Sequence, residues 1–319
     1  MWRLAVAGRR ALGVASLDQP RPASRGVVES QTPYWIAIVP AAVAVIALIV
    51  VPLGYAFALS LRNYNLLYNF DSPAGLSNYA TALTNDPVFW ASLLRTLVYM
   101  VVVITLDFAL GFAQALLLYQ LRPQAAAVFR SVFLLPILVI PAASAMFWRL
   151  TMWGTPNSEF LRVFGLNNTV PAPLGNATLA FPAIIITVWW AWSPFVFLLI
   201  HGGLEGLDQS VIEAAKVDGA SYGVIIRKII LPLLKPVIFV ALSFKAVDSF
   251  LSFPFIWIMT QGGPGDATHL LSTFVYQQAF QQQDYGYGSA LAMMMLAISG
   301  FLSVVAVSLW QKYGAEEWL

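Results

Sequence analysis

The 319 residues contain no cysteine, only two histidines and few charges, with Asp, Glu, Lys and Arg making up 10% of the chain. Without cysteine there are no disulfides and no thiolate metal sites, and the scattered His201 and His269 argue against a zinc centre. A chain of this length could hold two soluble domains. A soluble surface, however, normally has about a quarter of its residues charged, so this chain could not cover itself with water-facing groups. It also lacks a G-x-x-x-x-G-K-[ST] phosphate loop, since neither Gly202-Gly203 nor Gly262-Gly263 is followed by Lys-Ser/Thr. The clustered histidines or carboxylates that a membrane-embedded, lipid-modifying transferase would need are missing too. What is present is apolar: 59% hydrophobic residues, 14% aromatic residues and a mean hydropathy of +0.74. This is the composition of a multi-span membrane protein, in which the distribution of charge matters more than the net +2.

Runs of 18 or more apolar residues mark candidate spans, because about 20 helical residues cross the hydrocarbon core. Six such runs are present, at Tyr34–Leu61, Leu93–Tyr119, Phe129–Leu150, Leu179–His201, Val237–Met259 and Gly288–Trp310. Only a helical bundle satisfies the backbone of so many apolar runs that lack alternating polarity. The expected fold is therefore an all-α integral membrane protein with six transmembrane helices spread over residues 34–310.

Residues 1–33 read as a cytoplasmic extension. They hold Arg3, Arg9, Arg10, Arg21 and Arg25 with Pro20, Pro22 and Pro33, and the apolar stretch between Arg3 and Arg9 is too short for a signal peptide. Basic residues then alternate with loop parity. Arg122 and Arg130 flank one short loop, and Lys216, Arg227, Lys228 and Lys235 lie in a long one. The opposite loops carry mainly Arg62 and Arg162, and Thr260–Tyr287 carries no Lys or Arg. The positive-inside rule then places both termini, including the tail 311–319, and the long loop in the cytoplasm.

That long loop, about residues 204–236, contains VIEAAKVDGASYGVIIRKIILPLLKP. Ser210 with Glu213 three positions later is the pattern of a capping box, which predicts a helix starting at Val211, and Gly219 suits its C-terminal stop. Ser221 is placed to cap a second helix ending near Pro232. The isoleucines 225, 226, 229 and 230 of that helix share one face, with Arg227 and Lys228 on the other. Two readings follow: a short docking helix held out on two helical arms, or an interfacial elbow that anchors the loop among lipid headgroups.

The pattern E-A-A-x-x-D-G-A, then I-x-L-P-x-x-x-P, stands here as Glu213-Ala214-Ala215, Asp218-Gly219-Ala220, Ile229, Leu231-Pro232 and Pro236. It resembles the EAA loop of ABC importer permeases. TQGGPGDAT (Thr260–Thr268), YGYGSALAM (Tyr285–Met293) and LSNYATALTNDPVFWASLLRTLVY look like the carbohydrate-uptake branch, which includes maltose, trehalose and glycerol-phosphate permeases. The resemblance covers about Leu76 to Trp310 and leaves out the first 33 residues. It implies that the short helix is a cytoplasmic coupling helix seated in a cleft of an ATPase subunit. Glu213 would meet polar or basic groups there, Ala214 and Ala215 would allow close approach, and Gly219 would permit the turn. Asp218 is open between coupling and local capping, and Ala220 completes the motif.

The resemblance also implies half of a translocation pore in the bacterial cytoplasmic membrane. A second, different permease subunit would complete it, two ATPase subunits would bind ATP and Mg, and an external sugar-binding protein would deliver substrate. No cofactor in this chain and no nucleic-acid partner are implied. A proton-coupled carrier is the alternative, for which Asp107, Lys245 and Asp248 are the only material.

A substrate path should appear as polarity inside the spans. Lys245, Ser249 and Ser252 fall at i, i+4 and i+7 on one helical face, and Asp248 can pair with Lys245. This pair is unusual for the family, and a self-neutralising pair that packs helices is the plainer alternative. The fourth span offers VWWAWSPFVF, in which Trp189, Trp190, Trp192 and Phe195 could stack on sugar rings and Pro194 could kink the helix. Lipid-facing placement is the commoner fate of such aromatics. Family sugar contacts fall at Trp192, Phe195 and the two serines. Asp107 is a further intramembrane charge, either pore-facing or at a helix contact.

Overall fold

A computed structural model describes residues 35–154, 162, 163 and 172–313. The extension expected at 1–33, with its five arginines, and the end of the tail from residue 314 lie outside the described residues. The chain divides into two units, residues 1–51 and 52–319, and the features below from Pro52 onward belong to the second.

The first apolar run forms helix α1, Trp35–Ser60. A two-stranded antiparallel ribbon follows, β1 (Arg62–Asn65) with β2 (Phe70–Pro73), registered from Arg62 opposite Pro73 to Asn65 opposite Phe70. An all-α expectation omitted this ribbon. Arg62 ties it together, with Nε and Nη2 donating to Oδ1 and Oδ2 of Asp71 at 2.8 and 2.7 Å. Helix α2 (Ser77–Thr84) leads to α3 (Pro87–Gln120). This helix starts six residues before the apolar run because Asp86 caps it: its Oδ1 accepts from the amides of Val88 and Phe89, and Pro87 fits the first turn, where an amide would be unpaired anyway.

The third expected span is not one helix. It is α4 (Pro123–Leu134), a 3₁₀ turn at Pro136–Leu138, α5 (Pro141–Trp148) and a π turn at Arg149–Trp153. Pro136 and Pro141 each lack the amide that would continue the ladder, so the helix ends ahead of them. Helix α6 (Ala180–Glu205) instead stays helical through its internal Pro194.

Helix α7 (Gln209–Val217) and α8 (Tyr222–Ile225) make up the long loop. The expected end near Pro232 is overturned: a π turn at Ile226–Ile230 passes directly into α9, Leu231–Phe250. The Leu231 amide reaches back five residues to Ile226, and this wider turn takes up Pro232 without a break. The fifth expected span does break, after Phe250, and resumes as α10 (Pro254–Thr260), since a residue preceding proline avoids the helical region. Helix α11 (Leu271–Tyr276), a π turn at Gln277–Gln281 and α12 (Tyr285–Tyr313) complete the fold.

Helices α1, α3, α6 and α12 are each long and apolar enough to cross a bilayer. Helix α9 is of spanning length too but carries Lys235, Lys245 and Asp248. The most extensive packing is α3 against α6, and Gly111 permits it: a Cβ there would lie 2.7 Å from the Phe197 amide nitrogen. This approach brings the middle of α3 close to the elements that carry the candidate site.

Candidate functional site

Three elements bring the intramembrane charges together. Asp107 on α3 and Lys245 on α9 are both fully buried. Lys245 Nζ lies 3.2 Å from Asp107 Oδ2, an ion pair outside hydrogen-bond geometry, and donates to Asp248 Oδ2 at 3.0 Å. Neither oxygen of Asp107 receives a hydrogen bond. The Asp248 side chain is 31% exposed and is the accessible member of the cluster. From α6, Trp192 lays its ring 4.6 Å from Nζ, a cation–π distance. A lone charge here would cost about 2.5–3.5 kcal/mol on insertion scales, and the mutual pairing reduces that cost.

The other expected substrate residues are placed unevenly. Ser249 is 2% exposed, and its Oγ has no hydrogen-bond partner. Ser252 lies beyond the end of α9, so the helical stripe from Lys245 does not reach it; its Oγ is 3.1 Å from Tyr99 OH. Phe195 stands edge-on to Trp192 at 6.3 Å and packs on Phe244 at 4.8 Å. Trp189 and Trp190 are engaged structurally. Trp189 Nε1 donates to the Leu106 carbonyl at 2.9 Å, and Trp190 meets Trp148 edge-on. Sequence reasoning missed the Asp107–Lys245 pair and the role of Tyr99, because neither contact leaves a spacing signal along the chain.

The EAA segment forms the short helix that was expected, with a different cap. Helix α7 starts at Gln209, and Asp208 is its N-cap, accepting from the Ser210 amide at 2.9 Å. That hydrogen bond holds the Asp208 carboxyl below its ordinary range. The expected Ser210–Glu213 capping box is therefore not what starts the helix. Asp208, a strong capping residue two positions before Ser210, was the available signal.

The C-terminal end follows the expectation at Gly219, whose φ is +77°. Its amide donates to the Lys216 carbonyl at 3.1 Å, and the Ala220 amide donates to the Ala215 carbonyl at 3.0 Å, the paired bonds of a Schellman turn. Ser221 sits at the N-cap of α8 without a side-chain capping bond. Ile212 anchors α7 in the core, while Ala215 and Ala220 pack against the same cluster. Glu213, Ala214, Asp218 and Gly219 are exposed. Tyr119 OH donates to Gln209 Oε1 at 2.7 Å and Gln120 Nε2 to Tyr222 OH at 2.9 Å, so both arms of the loop are tied to the end of α3.

Residues 121–314 match the family described as binding-protein-dependent transport system inner membrane component. The trehalose transport system permease protein SugA of Mycobacterium tuberculosis is 32% identical over 97% of this chain and 96% of its own length. That coverage takes in most of the first 33 residues, which the motif-based resemblance had left out. The trehalose/maltose transport system permease protein MalF of Thermococcus litoralis is 33% identical over 83% of this chain and 88% of its own. A bacterial ABC transporter involved in the import of the acidic polysaccharide alginate shares the fold, with a TM-score of 0.75 at 17% identity over 87% of this chain and 94% of that one. The chain belongs to the binding-protein-dependent transport family and is an ABC importer permease of the inner-membrane type.

Proposed function

We propose that the chain forms half of the translocation pathway of an ATP-driven importer for a neutral disaccharide such as trehalose or maltose. The observation that carries this reading is α7: a helix capped at both ends, anchored by Ile212, with Glu213, Ala214, Asp218 and Gly219 turned outward. An elbow anchored among lipid headgroups would turn its isoleucine to the lipid, whereas this helix buries Ile212 and exposes Glu213 together with Val211, Ala214 and Val217, a mixed surface suited to a protein cleft. The exposed residues dock in the cleft of an ATPase subunit, where ATP and Mg are bound and hydrolysed. A second, different permease subunit, a second ATPase and an extracytoplasmic sugar-binding protein complete the assembly. Both termini and α7 face the cytoplasm. The sugar is assigned from the carbohydrate relatives and from Trp192, Phe195, Ser249 and Ser252, the residues set against the pathway, with Lys245 and Asp248 beside them.

Uptake of radiolabelled trehalose or maltose by vesicles containing the reconstituted complex tests the reading. Transport is expected to require ATP and the binding protein, and to survive a protonophore. Uptake that persists without any ATPase and collapses with the protonophore would establish the proton-coupled carrier instead.

A further inference from the structure

We propose that Asp107, Lys245 and Asp248 form a charge-selecting site that accepts neutral polyhydroxyl substrates and turns anionic ones away. The proposal rests on the reading of the chain as a sugar pathway. Its basis is the direction in which the cation points. Lys245 Nζ faces two carboxylates, at 3.0 and 3.2 Å, and the ring of Trp192 at 4.6 Å. A site that held an anion would turn its ammonium toward the ligand. Here the ammonium is enclosed, and the group on the accessible side is the Asp248 carboxylate.

The unused hydrogen-bonding capacity has the same character. Ser249 Oγ has no hydrogen-bond partner, and the part-exposed Asp248 carboxylate takes a single side-chain hydrogen bond, from Lys245, while Asp107 is closed off and paired with the same ammonium. Sugar hydroxyls can donate to carboxylates, whereas a phosphate or carboxylate on the substrate cannot and would meet like charge at close range.

An open cavity lies beside the turns of α9 that precede Lys245. Its volume is about 490 Å³, and it is lined by Phe108, the residue after Asp107, and by Ile238, Phe239 and Leu242 in the two turns of α9 before Lys245. None of Asp107, Lys245 and Asp248 lines this cavity, whose charged residues are Arg227 and Lys235, so the exclusion of anions is assigned to the part-exposed Asp248 face and not to the cavity.

The absence of cysteine from the chain makes the test direct. Ser249→Cys, in the complete complex during ATP turnover, is treated with methanethiosulfonates bearing a trimethylammonium or a sulfonate group. Modification is read on this chain by mass, relative to the rates on a free thiol. The cationic reagent is expected to react about tenfold faster or more, the scale of one nearby unit charge at intermediate dielectric. Asp248→Asn should bring the ratio toward one, and Lys245→Gln should raise it. Asp248 is part-exposed, so its amide variant remains informative even where an Asp107 variant fails to fold.

Equal rates, a preference for the sulfonate, or no modification at any stage of turnover would overturn the proposal. Protection of the thiol by trehalose is a separate readout. A charge preference without protection by trehalose or maltose counts against the sugar reading and leaves charge selection standing. Protection without a charge preference does the reverse.

Discussion

Asp107 and Lys245 lie far apart in sequence, and each alone is a costly buried charge. The sequence marked both as intramembrane polarity but gave no partner for Asp107, since no periodicity links α3 to α9. Their proximity makes Lys245 the sensitive member. Lys245→Met should leave Asp107 buried without its cation and cost roughly 3–5 kcal/mol, with most of the loss recovered when Asp107→Leu is added. The melting temperature of the detergent-solubilised complex reports this, and a single variant as stable as wild type would remove the pair from the account. At the start of α7 the sequence pattern pointed to Ser210 as the cap, and the structure uses Asp208, two residues earlier. Asp208→Ala should therefore destabilise the helix by about 0.5–2 kcal/mol while Ser210→Ala changes little, as hydrogen exchange of residues 209–217 can decide. An inverted order would restore the capping box.

Short elements were more legible than their boundaries. The helix of the EAA segment, its stop at Gly219 and the burial of Ile225 and Ile230 all follow from local chemistry. A Cβ at Gly219 would meet nothing within 4 Å, so the glycine is needed for its +77° φ and not for space. Gly219→Val should strain the turn by about 1–2 kcal/mol and uncouple ATP hydrolysis from uptake while the subunit still inserts. Normal transport with normal ATPase stimulation in this variant would end the coupling assignment. The loop between α10 and α11 makes a pH prediction. Burial, reinforced by Arg95 and opposed by Asp266, pushes the His269 imidazole below its ordinary 6.5. Between the two values the unfolded segment binds more protons than the folded one, so the stabilisation is complete above about 6.5 and is lost as pH falls. Hydrogen exchange of residues 261–270, corrected for intrinsic rates, should show more frequent opening at about pH 5.5 than at about pH 8. Equal protection at both would show that His269 contributes nothing to the loop.

For the whole molecule, the proposed topology predicts that a reporter fused after Lys312 reads as cytoplasmic and one near Gly265 as external; finding both on one side would sink the six-span arrangement. Membrane residence, helical class and the approximate positions of the apolar runs were determined by the sequence itself. Those properties come from composition and from backbone hydrogen bonding, which every residue in a bilayer must satisfy locally. The same holds for the turn at Gly219, which is set by one residue's backbone freedom. The tertiary structure alone decided which runs stay whole, how α9 passes through Pro232, and that the face of Lys245 and Ser249 turns into the bundle. It also decided that Lys245 answers Asp107 across α3 and α9 while Trp192 covers the ammonium. Such contacts depend on how closely helices approach, as at Gly111 beside Phe197, and that distance is a property of packed surfaces, to which the order of residues along one helix is blind.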